Sequence, residues 1–298
     1  MKPLHITLLL LALAQARVDT APVRIPVTIH DKDGNVVTNL AKDNFQVFED
    51  KILQDITLFK RDDSPLSLGL IIDNSGSMRN KRERVNNAAL SFVREGNPED
   101  QTFIVNFDDA VHVEQEFTGS IGNLMDALDR LDSRGETALY DAIQLSVDKV
   151  MKEGRQETKV LLLISDGVDN RSRSSYDDVL KHLKESKVTL YAIGLGEDNS
   201  PRGLFRAPPG KKAQQMLAAL ADATGGTAYF PKALDEIEEI CKQIAHELRN
   251  RYTIGYTSKS TANDGAWREV KVVVTPPKGG PAKLDPPRHR QGYFSPKS

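Results

Sequence analysis

Three short segments of this chain carry oxygen-donor side chains at spacings suited to a hard cation. Asp73-Asn74-Ser75-Gly76-Ser77 offers one carboxylate and two hydroxyls at alternate positions. Gly135-Glu136-Thr137 adds a hydroxyl just before a predicted helix start, and Ser165-Asp166-Gly167 adds a second carboxylate. Oxygen donors with few charges suit Mg²⁺, which tends to keep some of its waters, with Mn²⁺ or Ca²⁺ as alternative occupants. The set Asp73, Ser75, Ser77, Thr137 and Asp166 leaves at least one coordination position open. An open position on a divalent cation accepts a carboxylate oxygen from another molecule. The expected ligand is therefore an Asp or Glu side chain presented by a protein partner.

Composition narrows the alternatives. The chain has 298 residues with 40 Lys+Arg against 42 Asp+Glu, a formal charge of −2, and so lacks the basic excess of a nucleic-acid binder. Its single cysteine, Cys241, excludes an intramolecular disulfide, an iron–sulfur cluster and a cysteine-based zinc site. Cys241 falls on the apolar face of a predicted helix and reads as a core thiol. The six histidines show no HExxH-like spacing. Asp31-Lys32-Asp33-Gly34-Asn35 has its glycine misplaced for an EF-hand loop and reads as a hairpin turn.

The elements that must position the three segments follow from hydrophobic patterning. Leu68–Ile72, Phe103–Val105, Val160–Ile164 and Val188–Ile193 are continuous apolar runs, as expected of strands buried on both faces of a parallel sheet. Between them lie helical spacings such as Val85/Ala88/Ala89/Phe92, Ala138/Leu139/Ala142/Ile143 and Ile237/Ile240/Cys241/Ile244/Leu248. This alternation predicts a doubly wound α/β domain over residues 64–249, with a mostly parallel sheet flanked by helices. Such a sheet gathers ligands at the carboxyl ends of its strands, which is where the three segments fall. The flanks, 17–63 and 250–298, read as β-rich, and neither is long enough to be stable alone. They are expected to pair into a small β-sandwich-like unit that receives the α/β domain as an insertion. Residues 276–290, rich in Pro, Gly and Lys, are expected on the surface.

Residues 1–16 combine Lys2, an apolar run from Ile6 to Ala14 and a small-x-small ending at Ala14-Gln15-Ala16. That pattern predicts a signal peptide, too short to span a bilayer, and export to the periplasm or the extracellular space with no membrane span left after cleavage. The segment Glu197–Lys212 carries Arg202 and Arg206 around Phe205 and follows a predicted strand on the site edge, which makes these three residues candidates for partner contact. The oligomeric state is not legible in the sequence.

Asp73-x-Ser75-x-Ser77, Thr137 and Asp166-Gly167 together resemble the metal-ion-dependent adhesion site of von Willebrand factor type A domains, in order and spacing. The flanking stretches VFEDKILQDITLFKRDDSPLSLGLIIDNSGSM and RQGYFSP resemble a secreted bacterial group, the VWFA-related acidobacterial domain family. The resemblance implies that Ser75, Ser77 and Thr137 ligate the cation directly or through water and that Asp73 and Asp166 switch between these modes. It also implies a binding module of the adhesion or scaffold type without catalytic residues. Two other readings compete with it. A Mg²⁺-dependent phosphoryl-transfer enzyme on a similar sheet would need Asp where Ser75 stands, to serve as general acid. An accessory subunit of a cytoplasmic ATPase conflicts with the predicted signal peptide.

Overall fold

The computed structural model describes residues 22–196, 209–277, 279–280 and 283–297. The predicted signal peptide and the candidates Arg202, Phe205 and Arg206 lie outside these residues. The chain enters through β1 (Val23–Thr28), β2 (Phe45–Glu49), β3 (Ile52–Gln54) and β4 (Ile56–Asp62). The α/β unit follows with β5 (Leu66–Asp73), α1 (Arg82–Arg94), β6 (Gln101–Phe107), β7 (Val111–Thr118), α2 (Ile121–Asp129), α3 (Leu139–Glu153) and β8 (Thr158–Ser165). It continues through α4 (Tyr176–Glu185), β9 (Val188–Gly194), α5 (Pro209–Asp222), β10 (Ala228–Tyr229) and α6 (Glu236–Arg249). The chain then returns to β structure in β11 (Arg251–Tyr256), β12 (Trp267–Val274), β13 (Arg288–His289) and β14 (Gly292–Phe294).

The central sheet has the order β10-β9-β8-β5-β6-β7, parallel except for β7. Every residue of β5 is buried, because helices cover both faces of the strand. Leu66, Leu68, Leu70 and Ile72 point to one face and pack with Val85, Ala89 and Phe92 of α1 and Ile237, Cys241 and Ile244 of α6. Ile71 points to the other face, into a cluster with Leu139, Ile143 and Val147 of α3, Val179 and Leu183 of α4 and Leu217 of α5. Each such aliphatic side chain contributes roughly 1.5–3 kcal/mol by leaving water. The apolar-run criterion does not reach β7, whose sequence VHVEQEFT is polar because it is an edge strand with one side toward solvent.

The remaining strands form two antiparallel sheets, β13-β1-β11-β4 and β14-β12-β2-β3. Each sheet mixes strands from the two ends of the chain. Ile25, Val27, Phe45, Val47, Tyr252, Ile254, Val270 and Val272 fill the space between them. The Tyr252 hydroxyl accepts from the Leu40 amide at 2.9 Å and donates to the Val37 carbonyl at 3.0 Å, so its burial leaves no polar atom unmatched.

Within the stretch expected on the surface, β13 pairs with β1, and Arg290 is drawn into the junction with the α/β unit. Its guanidinium donates to the carbonyls of Lys184, Leu183 and Val188 at 3.0, 3.3 and 3.0 Å. These carbonyls lie at the end of α4 and the start of β9, where helix termination leaves acceptors unmatched. The sandwich thus abuts the amino ends of the parallel strands, opposite the edge that carries the oxygen-donor segments.

Candidate metal centre

β5 lies between β6 and β8, the next strand in sequence on one side and a later one on the other. This is the point where the chain reverses direction across the sheet and where a crevice opens beyond the strand ends. Asp73 is the last residue of β5, and Asp166 follows the last residue of β8. Beyond Asp73 a single 3-10 turn, Gly76–Met78, leads toward α1 and keeps Ser75 and Ser77 on the same loop.

Hydrogen bonds draw the two loops together. Asp73 accepts from the Ser75 amide at 2.9 Å through one oxygen and from the Ser165 hydroxyl at 2.6 Å through the other. The Ser75 and Ser77 hydroxyls are 3.0 Å apart, and Ser77 donates to Asp166 at 2.6 Å. Asp73, Ser75, Ser77 and Asp166 therefore form one connected oxygen cluster. Thr137 makes no hydrogen bond to this cluster among the described residues, and its backbone ties it instead to the loop after β8. Its amide donates to the Asn170 side chain at 2.8 Å, and its carbonyl accepts from the Asn170 and Arg171 amides at 3.1 and 3.2 Å. The Gly76 amide donates to the Gly135 carbonyl at 3.2 Å and ties the loop of Thr137 to that of Ser75.

Two glycines permit this closure. Gly167 has φ +78°, and a Cβ there would approach Leu217 Cδ1 to 3.0 Å. Gly135 has φ +71°, and a Cβ there would meet Asp109 Oδ2 at 2.6 Å. Left-handed backbone of this kind is costly for residues with a side chain. Sequence spacing alone does not single out Ser165, Asn170 or Asp109 as the residues that hold these loops. Ser165 was within reach of sequence reasoning as a hydroxyl at the end of a buried strand, directly before Asp166. Asp141 and Asp169 also serve the loops. Asp141 accepts the Arg173 and Ser174 amides, each at 3.0 Å, and Asp169 accepts the Tyr140 amide at 3.2 Å and the Ser172 hydroxyl at 2.6 Å.

The electrostatics are unbalanced. Asp73 is only 2% exposed. Burial and, after it, the nearby Asp166 push its carboxyl up to about 6, against the opposing hydrogen bonds from Ser165 and Ser75. Neither Asp73 nor Asp166 forms an ion pair with Lys, Arg or His among the described residues. Among those residues, too, no group of three or more His, Cys, Asp and Glu side chains converges, so a cation here would depend on hydroxyls as well as carboxylates. The all-oxygen donor set and the excess negative charge fit a hard divalent ion. Exposed Arg134 and Arg171 and the exposed apolar Val168 stand around the centre.

The family comparison bears on the same loops. Residues 68–168 match the von Willebrand factor type A domain. The match runs from β5 through Asp73, Ser75, Ser77, Thr137 and Asp166, and this class of domain often mediates protein–protein interaction or adhesion. In overall structure the chain is similar to a von Willebrand factor type A protein from Catenulispora acidiphila, with TM-score 0.53 and 14% identity over 95% of this chain and 75% of that one. It is also similar to proximal thread matrix protein 1 from the mussel byssus, with TM-score 0.51 and 18% identity over 67% of this chain and 51% of that one. At these identities the likeness is one of fold. An uncharacterized protein of Synechocystis sp. is 23% identical over 218 residues, which cover 71% of this chain and 48% of the relative. The chain thus spans about half the length of that relative. No helix among the described residues is long and apolar enough to cross a membrane.

Proposed function

We propose that this protein is an exported, divalent-cation-dependent protein-binding module, and that its von Willebrand factor type A domain grips an acidic side chain of a partner. The observation that carries the reading is Asp73: a buried carboxylate beside a second carboxylate, with no basic side chain paired to either among the described residues. An arrangement of this kind is unfavourable in its charged form and is relieved by a proton or, at neutral pH, by a cation from outside the chain. Mg²⁺ is the ion the donor set suits best, with Asp73, Ser75, Ser77, Thr137 and Asp166 as the residues that hold it. Bound there, it would supply a Lewis-acidic position for a carboxylate oxygen. Ser77 is exposed and Asp166 half-buried, so the centre is reachable from solvent, whereas Asp73 and Ser75 stay covered. Adhesion by way of a partner's Asp or Glu follows from that chemistry and needs no catalytic residue.

The test is calorimetric titration of Mg²⁺ and Mn²⁺ into the wild type, Asp73→Ala and Thr137→Ala. The wild type is expected to bind, and each variant to lose at least about tenfold in affinity. Wild-type protein that takes up neither ion would overturn the reading.

A further inference from the structure

An open groove of about 550 Å³ begins beside the candidate centre at Ala138, the residue after Thr137. Three elements line it: the β6–β7 turn with Asp109 and Val111, the first turns of α3 with Asp141 and Leu145, and the loop after β8 with Arg171 and Arg173. Its carboxylates are already engaged. Asp109 accepts the Glu136 amide at 2.9 Å, and Asp141 accepts the Arg173 and Ser174 amides. Its guanidiniums are not engaged in the same way. Arg171 Nε lies 3.6 Å from the exposed Glu136 carboxylate, a solvent-screened contact, and the Arg173 side chain donates no hydrogen bond among the described residues. Val111 and Leu145, both half-buried, give the groove an apolar patch.

We propose that this groove is the second contact of the same docking surface and takes an extended acidic peptide segment of the partner. One carboxylate of the segment goes to the cation, a neighbouring one pairs with Arg171 and Arg173, and the intervening chain lies against Val111 and Leu145. The lining carries two carboxylates and two guanidiniums, and the occupant is selected by what each leaves open: Asp109 and Asp141 already accept backbone amides, whereas the guanidiniums keep donors free. The planar guanidinium fork matches a carboxylate, and the groove holds two of them with donors to spare. The inference rests on the cation reading for its first contact and on the arginines alone for its second.

The test is an NMR titration of isotope-labelled protein in Mg²⁺, with a tetra-aspartate peptide and with acetate as the single-carboxylate probe. It compares the wild type, the double variant Arg171→Ala/Arg173→Ala and the remote control Lys152→Ala. Tetra-aspartate is expected to bind the wild type about tenfold more tightly than acetate and to shift residues 109–111 and 171–173. The double variant is expected to erase most of that difference while Mg²⁺ and acetate affinities stay unchanged. Equal peptide affinity in the double variant, an equal loss in Lys152→Ala, or shifts confined to other surfaces would overturn the proposal. If Mg²⁺ itself fails to bind the wild type, the cation reading falls. Peptide shifts at 171–173 that persist without the ion and vanish in the double variant would then still support the arginine contact.

Discussion

Among the described residues three carboxylates are almost wholly removed from water: Glu49 inside the sandwich, and Asp73 and Glu247 at opposite ends of the α/β unit. Asp73, at the carboxyl end of β5, has hydroxyls, amides and another carboxylate for company among the described residues. Glu247, in the last turn of α6, is 0% exposed and meets groups of the opposite character. The Tyr191 and Tyr229 hydroxyls donate to it at 2.7 and 3.4 Å, and His30 Nε2 and Arg288 Nη1 approach within 3.4 and 3.5 Å. Against burial, the Tyr191 hydrogen bond and the nearby His30 and Arg288 hold its carboxyl below the usual glutamate range. His30 and Arg288 belong to the sandwich, whereas Tyr191, Tyr229 and Glu247 belong to the α/β unit. The contrast separates two uses of a buried charge. Glu247 finds its counter-charges within the chain and fastens two units together, whereas Asp73 has none among the described residues.

The largest expected effect tests the fastened end. Glu247→Ala leaves Arg288 and two tyrosine hydroxyls facing an emptied pocket, and urea unfolding should show a loss of roughly 3–5 kcal/mol. Mg²⁺ binding at the other end should survive in whatever fraction remains folded. A smaller effect, of opposite sign, is expected at the unbalanced end. Asp73→Asn keeps one acceptor oxygen for the Ser75 amide, presents an N–H that the Ser165 hydroxyl can accept, and removes the like-charge pair, so the metal-free protein should gain about 1 kcal/mol in the same measurement. With saturating Mg²⁺ the order should reverse, because the wild type gains binding energy that the variant cannot. An Asp73→Asn protein less stable than the wild type under chelation would break the comparison.

The smallest effect concerns acid. Glu247 has a folded pKa below its unfolded value of 4.5, so the folded state binds fewer protons and the stability it contributes is present above that pH. That contribution drains away as pH falls through the folded value. His289, whose burial lowers its pKa from 6.5, acts in the same direction, because the unfolded chain takes up a proton before the folded one does. Asp73, raised to about 6, works the other way in the metal-free protein, because the folded chain takes up its proton first, so the expected signal is a difference: Glu247→Gln should lose less stability than the wild type as pH falls below 4.5. Unfolding midpoints collected across pH 3–7 for both proteins would check this.

How much of this was legible in the sequence depended on whether a residue's role was local. The strands β5, β6, β8 and β9 declared themselves because burial on both faces makes them apolar at successive positions. The oxygen cluster was legible because its members sit at strand ends in short, spaced motifs. Glu247 was not legible: an acidic residue in a helix ordinarily marks a solvated face, and His30, Tyr191 and Arg288 are brought to it only by tertiary structure. Arg290 was hidden for a similar reason, since a stretch rich in proline and glycine around it reads as surface. The two-residue strands β10 and β13 are too short to leave a periodic signal. The loop-holding roles of Asn170 and Asp109 depend on backbone amides that no side-chain pattern reports.

The pairing of β4 with β11 sets an order of events. Asp62 and Arg251 face each other in register, so the points where the chain leaves and re-enters the sandwich are neighbours. Everything between them is one long loop whose ends must meet before these strands can pair. While that loop is unstructured, closing it is entropically expensive, and non-local pairings of this kind form slowly. Once the α/β unit has folded, β5 and α6 deliver both ends to the same place and the expense has already been met. The nascent chain thus makes its first β strands early yet leaves them without their β11 and β12 partners until the inserted unit is complete.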